Sequence, residues 1–138
     1  MPAVEYPYAI VAGRRSPLIP LGLGHQGRWQ RVQAYVDSGA FYSVFKTDFA
    51  LALGLEWHHG DRVYVQVGDG GFIPVYLHRV ELQLRQYRFS GRIGFSDHLG
   101  VRFNLIGRVP LFEEFVICFD DRQGIVRLEP YPEQASTH

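Results

Sequence analysis

The stretch Ala34-Tyr35-Val36-Asp37-Ser38-Gly39-Ala40 decides how the chain folds. Trp29, Val32, Ala34 and Val36 lie in a bulky, strand-like run that delivers Asp37 to a turn. Gly39 lets the backbone approach the Asp37 carboxylate closely and offer its N–H. A hydroxyl at position 38 can hydrogen-bond outside the carboxylate and lock the loop. Asp-Ser-Gly is also an ordinary turn sequence, so the segments around it carry the decision.

Downstream, Val67-Gly68-Asp69-Gly70-Gly71-Phe72-Ile73-Pro74-Val75 is a glycine-tipped hairpin between two strand patterns. Val63, Val65 and Val67 alternate with Tyr64 and Gln66, and Val80, Leu82 and Leu84 alternate with Glu81, Gln83 and Arg85. Such a hairpin is flexible at its tip and stiff in its arms, as a lid must be. Asn104-Leu105-Ile106-Gly107-Arg108 then leads toward Pro110-Leu111-Phe112-Glu113-Glu114-Phe115, a short helix candidate with proline in its first turn. Thr47 to Leu53 is a second helix candidate, opened by capping residues and ended by Gly54. Asp120 to Gly124 separates two apolar runs as a hairpin turn would.

Upstream, Leu18-Ile19-Pro20-Leu21 is apolar, and Gly22-Leu23-Gly24-His25-Gln26-Gly27 spells a dinucleotide-loop pattern. That pattern needs a helix directly after it, whereas Arg28 to Gln33 reads as a strand, so the glycines fit a hairpin better. Fifteen glycines and eight prolines among short strands fit an all-β barrel or sandwich. No internal boundary is visible over 138 residues, which suits one domain, with a polar tail from Pro130 to His138 expected to fray.

Fourteen basic and fourteen acidic side chains balance, so no net field favours nucleic acid or an anionic membrane. The single cysteine, Cys118, excludes an internal disulfide and, set among Phe115, Val116, Ile117 and Phe119, reads as a small buried hydrophobe. The six histidines do not form a ligand pattern, so no metal and no cofactor is expected. Spacing nominates no histidine for Ser38 or Ser43, so a serine triad lacks support. The chain shows neither a signal peptide nor a membrane-spanning apolar run, and is expected to be cytoplasmic.

With these segments in this order, the sequence resembles the retropepsin-like aspartic proteases over roughly residues 15 to 130. Asp37-Ser38-Gly39-Ala40 matches the family's catalytic loop, and Ser43-Val44-Phe45 the residues that follow it. Gly68-Asp69-Gly70-Gly71-Phe72-Ile73 is similar to the flap tip. Leu105-Ile106-Gly107-Arg108 is similar to the segment entering the C-terminal helix, which gives Gly107 and Arg108 structural roles. The resemblance implies a single-domain, all-β acid-protease barrel with one or two short helices, acting on peptide or protein substrates as a homodimer. Each chain would give one catalytic Asp37 to a dyad that shares a proton, one carboxylate activating water and the other donating to the peptide carbonyl. The alternative is a non-catalytic peptide-binding or dimerisation module that retains the fold, and a third possibility is a regulatory domain of a longer enzyme. Three departures from the retroviral pattern stand out. Phe41 and Tyr42 occupy positions that are acidic there, leaving Arg108 without its usual partner. Asp69 stands where a flap tip is typically apolar, and Val109 follows the Gly-Arg pair. Pocket walls are expected from Phe72, Ile73, Val75 and residues 101–105.

Overall fold

The Gly22–Gly27 segment shows how the chain turns its glycines into strands. The computed structural model describes residues 1–100 and 103–132. In it, β1 (Val4–Pro7), β2 (Ala9–Val11) and β3 (Arg14–Ser16) precede a long hairpin of β4 (Leu18–His25) and β5 (Arg28–Val36). The two residues between those strands, Gln26 and Gly27, have φ of 48° and 81°. Positive φ at both central positions is the type I′ turn, whose twist matches that of paired strands. A Cβ on Gly24 would lie 2.7 Å from the Trp29 indole, so this glycine makes room for the ring across the pair. The chain continues after Gly27 as a strand, not a helix.

After β5 come β6 (Val44–Lys46), helix α1 (Thr47–Ala52) and a single 3-10 turn at Trp57–His59. Then follow β7 (Asp61–Gln66), β8 (Phe72–Leu84), β9 (Tyr87–Ser96) and β10 (Asn104–Ile106). Helix α2 (Leu111–Glu114), β11 (Phe115–Asp120) and β12 (Ile125–Pro130) complete the order. This is a mostly β single domain with two short helices. The main sheet runs β4-β5-β10-β6-β9-β8-β7, and β8 pairs with β4 as well. Thirteen residues make β8 long enough to meet β7 at one end, through Phe72 to Leu77, and β4 at the other, through Glu81 to Gln83. A second sheet, β1-β12-β11, and the β2-β3 ribbon lie outside this run.

Period-two patterning sets the core. Val32, Ala34 and Val36 of β5, Val80, Leu82 and Leu84 of β8, and Ile19, Leu21 and Leu23 of β4 are buried. Phe45, Phe95, Ile93, Ile106 and Leu111 join them in one cluster, and Val44, Val75 and Leu77 form a smaller one.

Four expectations change. Thr47 is the first residue of α1 rather than its cap; Lys46 holds the cap position, and no side chain caps the helix. Gly54, φ 76°, does end that segment, and its N–H donates to the Leu51 carbonyl. The helix near residue 110 has only four residues, because Phe115 already enters β11. Pro110, preceded by a cis peptide bond, sits before the helix rather than in its first turn. Cys118 is exposed, not buried. β11 is an edge strand whose Phe115 and Ile117 turn inward, so Val116 and Cys118 face outward. Pro130 ends β12, and the Tyr131 N–H donates to Glu114, so the frayed tail does not begin at Pro130. Residues 133–138 lie outside the described part. Among the described residues, no helix is long and apolar enough to cross a membrane.

Candidate functional site

Asp37 follows the last residue of β5, where the chain leaves the sheet. β10 lies between β5 and β6, parallel to β5 and antiparallel to β6, so the loop from 37 to 43 must arch over the end of β10. The Asp37 N–H donates to the Ile106 carbonyl at 3.0 Å, pinning the start of that arch to β10. The Ala40 N–H donates back to the Asp37 carbonyl at 3.3 Å, closing a tight turn. Within it the Gly39 N–H donates to Asp37 Oδ1 at 2.8 Å. This bond fixes the carboxylate plane and leaves Oδ2 for other partners. Asp37 is half-buried; Ser38 and Gly39 are exposed. The Ser38 hydroxyl has no hydrogen-bond partner among the described residues.

The far side of the arch is tied to residues 107–109. The Arg108 N–H donates to Ala40 O, and the Val109 N–H to Phe41 O, both at 2.8 Å. Gly107 is required here by space: a Cβ would run into the Ala40 carbonyl oxygen and lie 2.9 Å from that of Tyr42. Ser43, fully buried, is the hub of the contact. Its hydroxyl donates to Val109 O at 2.6 Å and accepts the Gly107 N–H at 2.9 Å. Both roles of one hydroxyl are used, so this buried polar group carries no unmet demand.

Phe41 and Tyr42 meet edge to face, with ring centroids 4.9 Å apart. The Arg108 guanidinium carbon lies 5.9 Å from the Phe41 ring centroid. The arginine thus faces an aromatic ring where the resemblance would have an acid, a weaker attraction than an ion pair with hydrogen bonds.

The β7–β8 hairpin stands across from this loop. Its tip is bonded to itself: the Val67 N–H donates to Gly71 O at 2.8 Å and the Gly70 N–H to Val67 O at 2.9 Å. Gly70 has φ 85°, a conformation that side chains rarely adopt. The Gly71 N–H donates to Asp69 Oδ1 at 2.8 Å, so Asp69 braces the turn it sits on. At the base, Arg92 of β9 reaches Asp61 at 2.6 Å.

Asp37, Gly39, Ala40, Phe41 and Tyr42 line one cleft of about 820 Å³ with Gly68, Asp69 and Ile73 of the hairpin. Gly70 and Gly71 shape the tip without lining the cleft. Phe72 does not line the cleft and is 64% exposed, and Val75 is fully buried beside Val44 and Leu77. Leu105 lines the cleft, while Val101 lies outside the described residues. Gly107 and Arg108 support the loop from behind. Sequence reasoning did not single out Tyr64, Gln66, His98 and Leu99, which also line the cleft. The alternation in β7 was visible, but not that the consecutive residues Tyr64 to Val67 would all line the cleft. His98 pairs with Asp97 at 2.7 Å, and its backbone N–H donates to Ser96 Oγ. Among the described residues, no group of three His, Cys, Asp or Glu side chains could hold a metal ion.

No family model matches the sequence, and no curated protein matches it. Solved structures do. The retropepsin-like aspartic protease from Rickettsia conorii superposes with a TM-score of 0.59 at 14% identity, covering 92% of this chain and 90% of that one. The EIAV protease, in complex with an inhibitor, gives 0.50 at 17% identity, covering 72% of this chain and 88% of that one. At such identities the likeness concerns the fold, and this chain is similar in fold to the retropepsin-like aspartic proteases.

Proposed function

We propose that the protein is an aspartic endopeptidase that acts as a homodimer. The observation that carries the proposal is the placement of Asp37. Its carboxylate is oriented by the Gly39 N–H at 2.8 Å and lines a cleft roofed by a self-braced, glycine-tipped hairpin. One carboxylate cannot be both the base that activates water and the acid that donates to the scissile carbonyl. A two-fold axis beside the 37–40 loop supplies the second from an identical chain. Two carboxylates that close share one proton: the charged one takes a proton from water, and the protonated one donates to the peptide oxygen. Closure of the hairpin over the peptide excludes bulk water and holds the scissile bond against the dyad. In the barrel this reading calls for, the pairings β4-β5-β10-β6-β9-β8 return to β4 and hold the two arms of the cleft in one frame.

The test is turnover of a mixed peptide library at acidic to neutral pH by the protein and by Asp37→Asn. The proposal expects cleavage by the first and a loss of at least about 1000-fold in the second, the scale set by removing an essential acid–base group. Equal turnover by both removes Asp37 from the mechanism.

A second reading rests on Phe41 and its contact with Arg108. With aromatic rings in place of acids beside the loop, the cleft would bind peptide by apolar contact and not cut it. Saturable peptide binding with no turnover at any of these pH values would favour this module.

A further inference from the structure

We propose that Asp69 makes the cleft select cationic peptides, with a lysine or arginine side chain of the substrate seated beneath the hairpin tip. The inference names the substrate class of the site proposed above, and its cleavage arm, though not its binding arm, rests on that reading.

The argument is one of charge left without a counterion. The sequence holds fourteen Lys and Arg residues, yet none of the described residues lining the cleft is either, and Arg108 stands behind the loop with its guanidinium carbon 5.9 Å from the Phe41 ring centroid. Besides the phenols of Tyr42 and Tyr64, its ionisable lining is Asp37, Asp69 and His98, and His98 is already paired with the carboxylate of Asp97 at 2.7 Å. Asp69 has no ion-pair partner among the described residues. Its Oδ1 accepts the Gly71 N–H at 2.8 Å, which holds the carboxylate on the tip and leaves Oδ2 open. Arg62, on the same strand as Tyr64, lies outside the cleft lining with its guanidinium carbon 5.6 Å from the Tyr64 ring centroid.

A peptide entering this space meets two carboxylates together with Phe41, Tyr42 and Tyr64. The stem of a lysine or arginine packs on aromatic faces while its head meets Asp69. A glutamate in the same place would meet like charge on both sides. Closure of the hairpin removes water and strengthens both effects.

Three fluorogenic peptide pools test this, identical except for one position restricted to Lys/Arg, Gln/Asn or Glu/Asp. Cleavage is measured with the native chain, and binding with Asp37→Asn by fluorescence anisotropy, at low and high salt. The Lys/Arg pool is expected to lead the Glu/Asp pool by about 10-fold in both measurements, a lead that shrinks as salt screens it. Asp69→Asn, which keeps an oxygen for the Gly71 N–H, is expected to narrow the lead to about 2-fold in both backgrounds. No binding of the Lys/Arg pool, equal binding of all pools, or a preference untouched by Asp69→Asn overturns the inference. Cationic preference in binding without any cleavage overturns the endopeptidase reading and leaves this inference standing.

Discussion

At the scale of single residues, Ser43 and Gly107 hold the loop that presents Asp37. The Ser43 hydroxyl bonds both Val109 O and the Gly107 N–H inside the protein. Ser43→Ala leaves both backbone groups without that partner, and the expected cost is about 1–3 kcal/mol in urea-unfolding free energy. Gly107→Ala sets a methyl group against the Tyr42 carbonyl and against the Ala40 carbonyl, which the Arg108 N–H already holds in place. It is expected to cost about 3 kcal/mol by the same measurement, and to lower peptide turnover more than Ser43→Ala does because the 37–43 arch itself must move. Asp37 and Gly39 were legible in the sequence because a strand ending in Asp-Ser-Gly is a local pattern. Ser43 was visible only through the resemblance, since its partners lie sixty-four and sixty-six positions away. Cys118 was misread because an apolar run cannot say which of its alternate residues faces out from an edge strand.

At the scale of elements, hairpins were the most legible part of the chain. Gln26-Gly27 and the 67–71 tip announce themselves because positive φ favours glycine. Short helices were less so: α1 lacks a capping side chain, and α2 is cut to four residues by the strand that follows. The β11–β12 turn carries a contact that no local pattern marks. Tyr8 donates from its hydroxyl to Asp121 Oδ1 at 2.7 Å, and its N–H donates to Gly124 O at 2.7 Å. Burial first, then the Asp121 hydrogen bond and the charges of Asp121 and Asp120, push the Tyr8 phenol from 10.0 up to about 12. Because the folded value is the higher one, this stabilisation is complete below about pH 10 and is lost as pH rises through about 12. Burial raises Tyr6 as well, which adds in the same direction. Thermal midpoints measured from neutral to strongly alkaline pH are therefore expected to fall most steeply between about 10 and about 12, and Tyr8→Phe to fall less steeply there. Parallel curves for the two proteins would remove Tyr8 from the alkaline limb.

At the scale of the whole molecule, the strand order β5-β10-β6 matters most, because threading β10 between two earlier strands brings the 107–109 segment against the 40–43 arch. The order of motifs hinted at this, but pairing between strands some seventy residues apart is not written in any local period. One chain lines the cleft between the arch and the 67–71 tip with a single Asp37, whereas the proposed chemistry needs two such carboxylates. Mixing experiments address that requirement directly. The native chain and Asp37→Asn are combined in equal amounts, allowed to exchange subunits, and assayed for peptide turnover at constant total protein. If each chain supplies one carboxylate to a shared dyad, mixed dimers are inactive and about one quarter of the native activity remains. Retention of about one half, the value for chains that act alone, would contradict the shared dyad at Asp37.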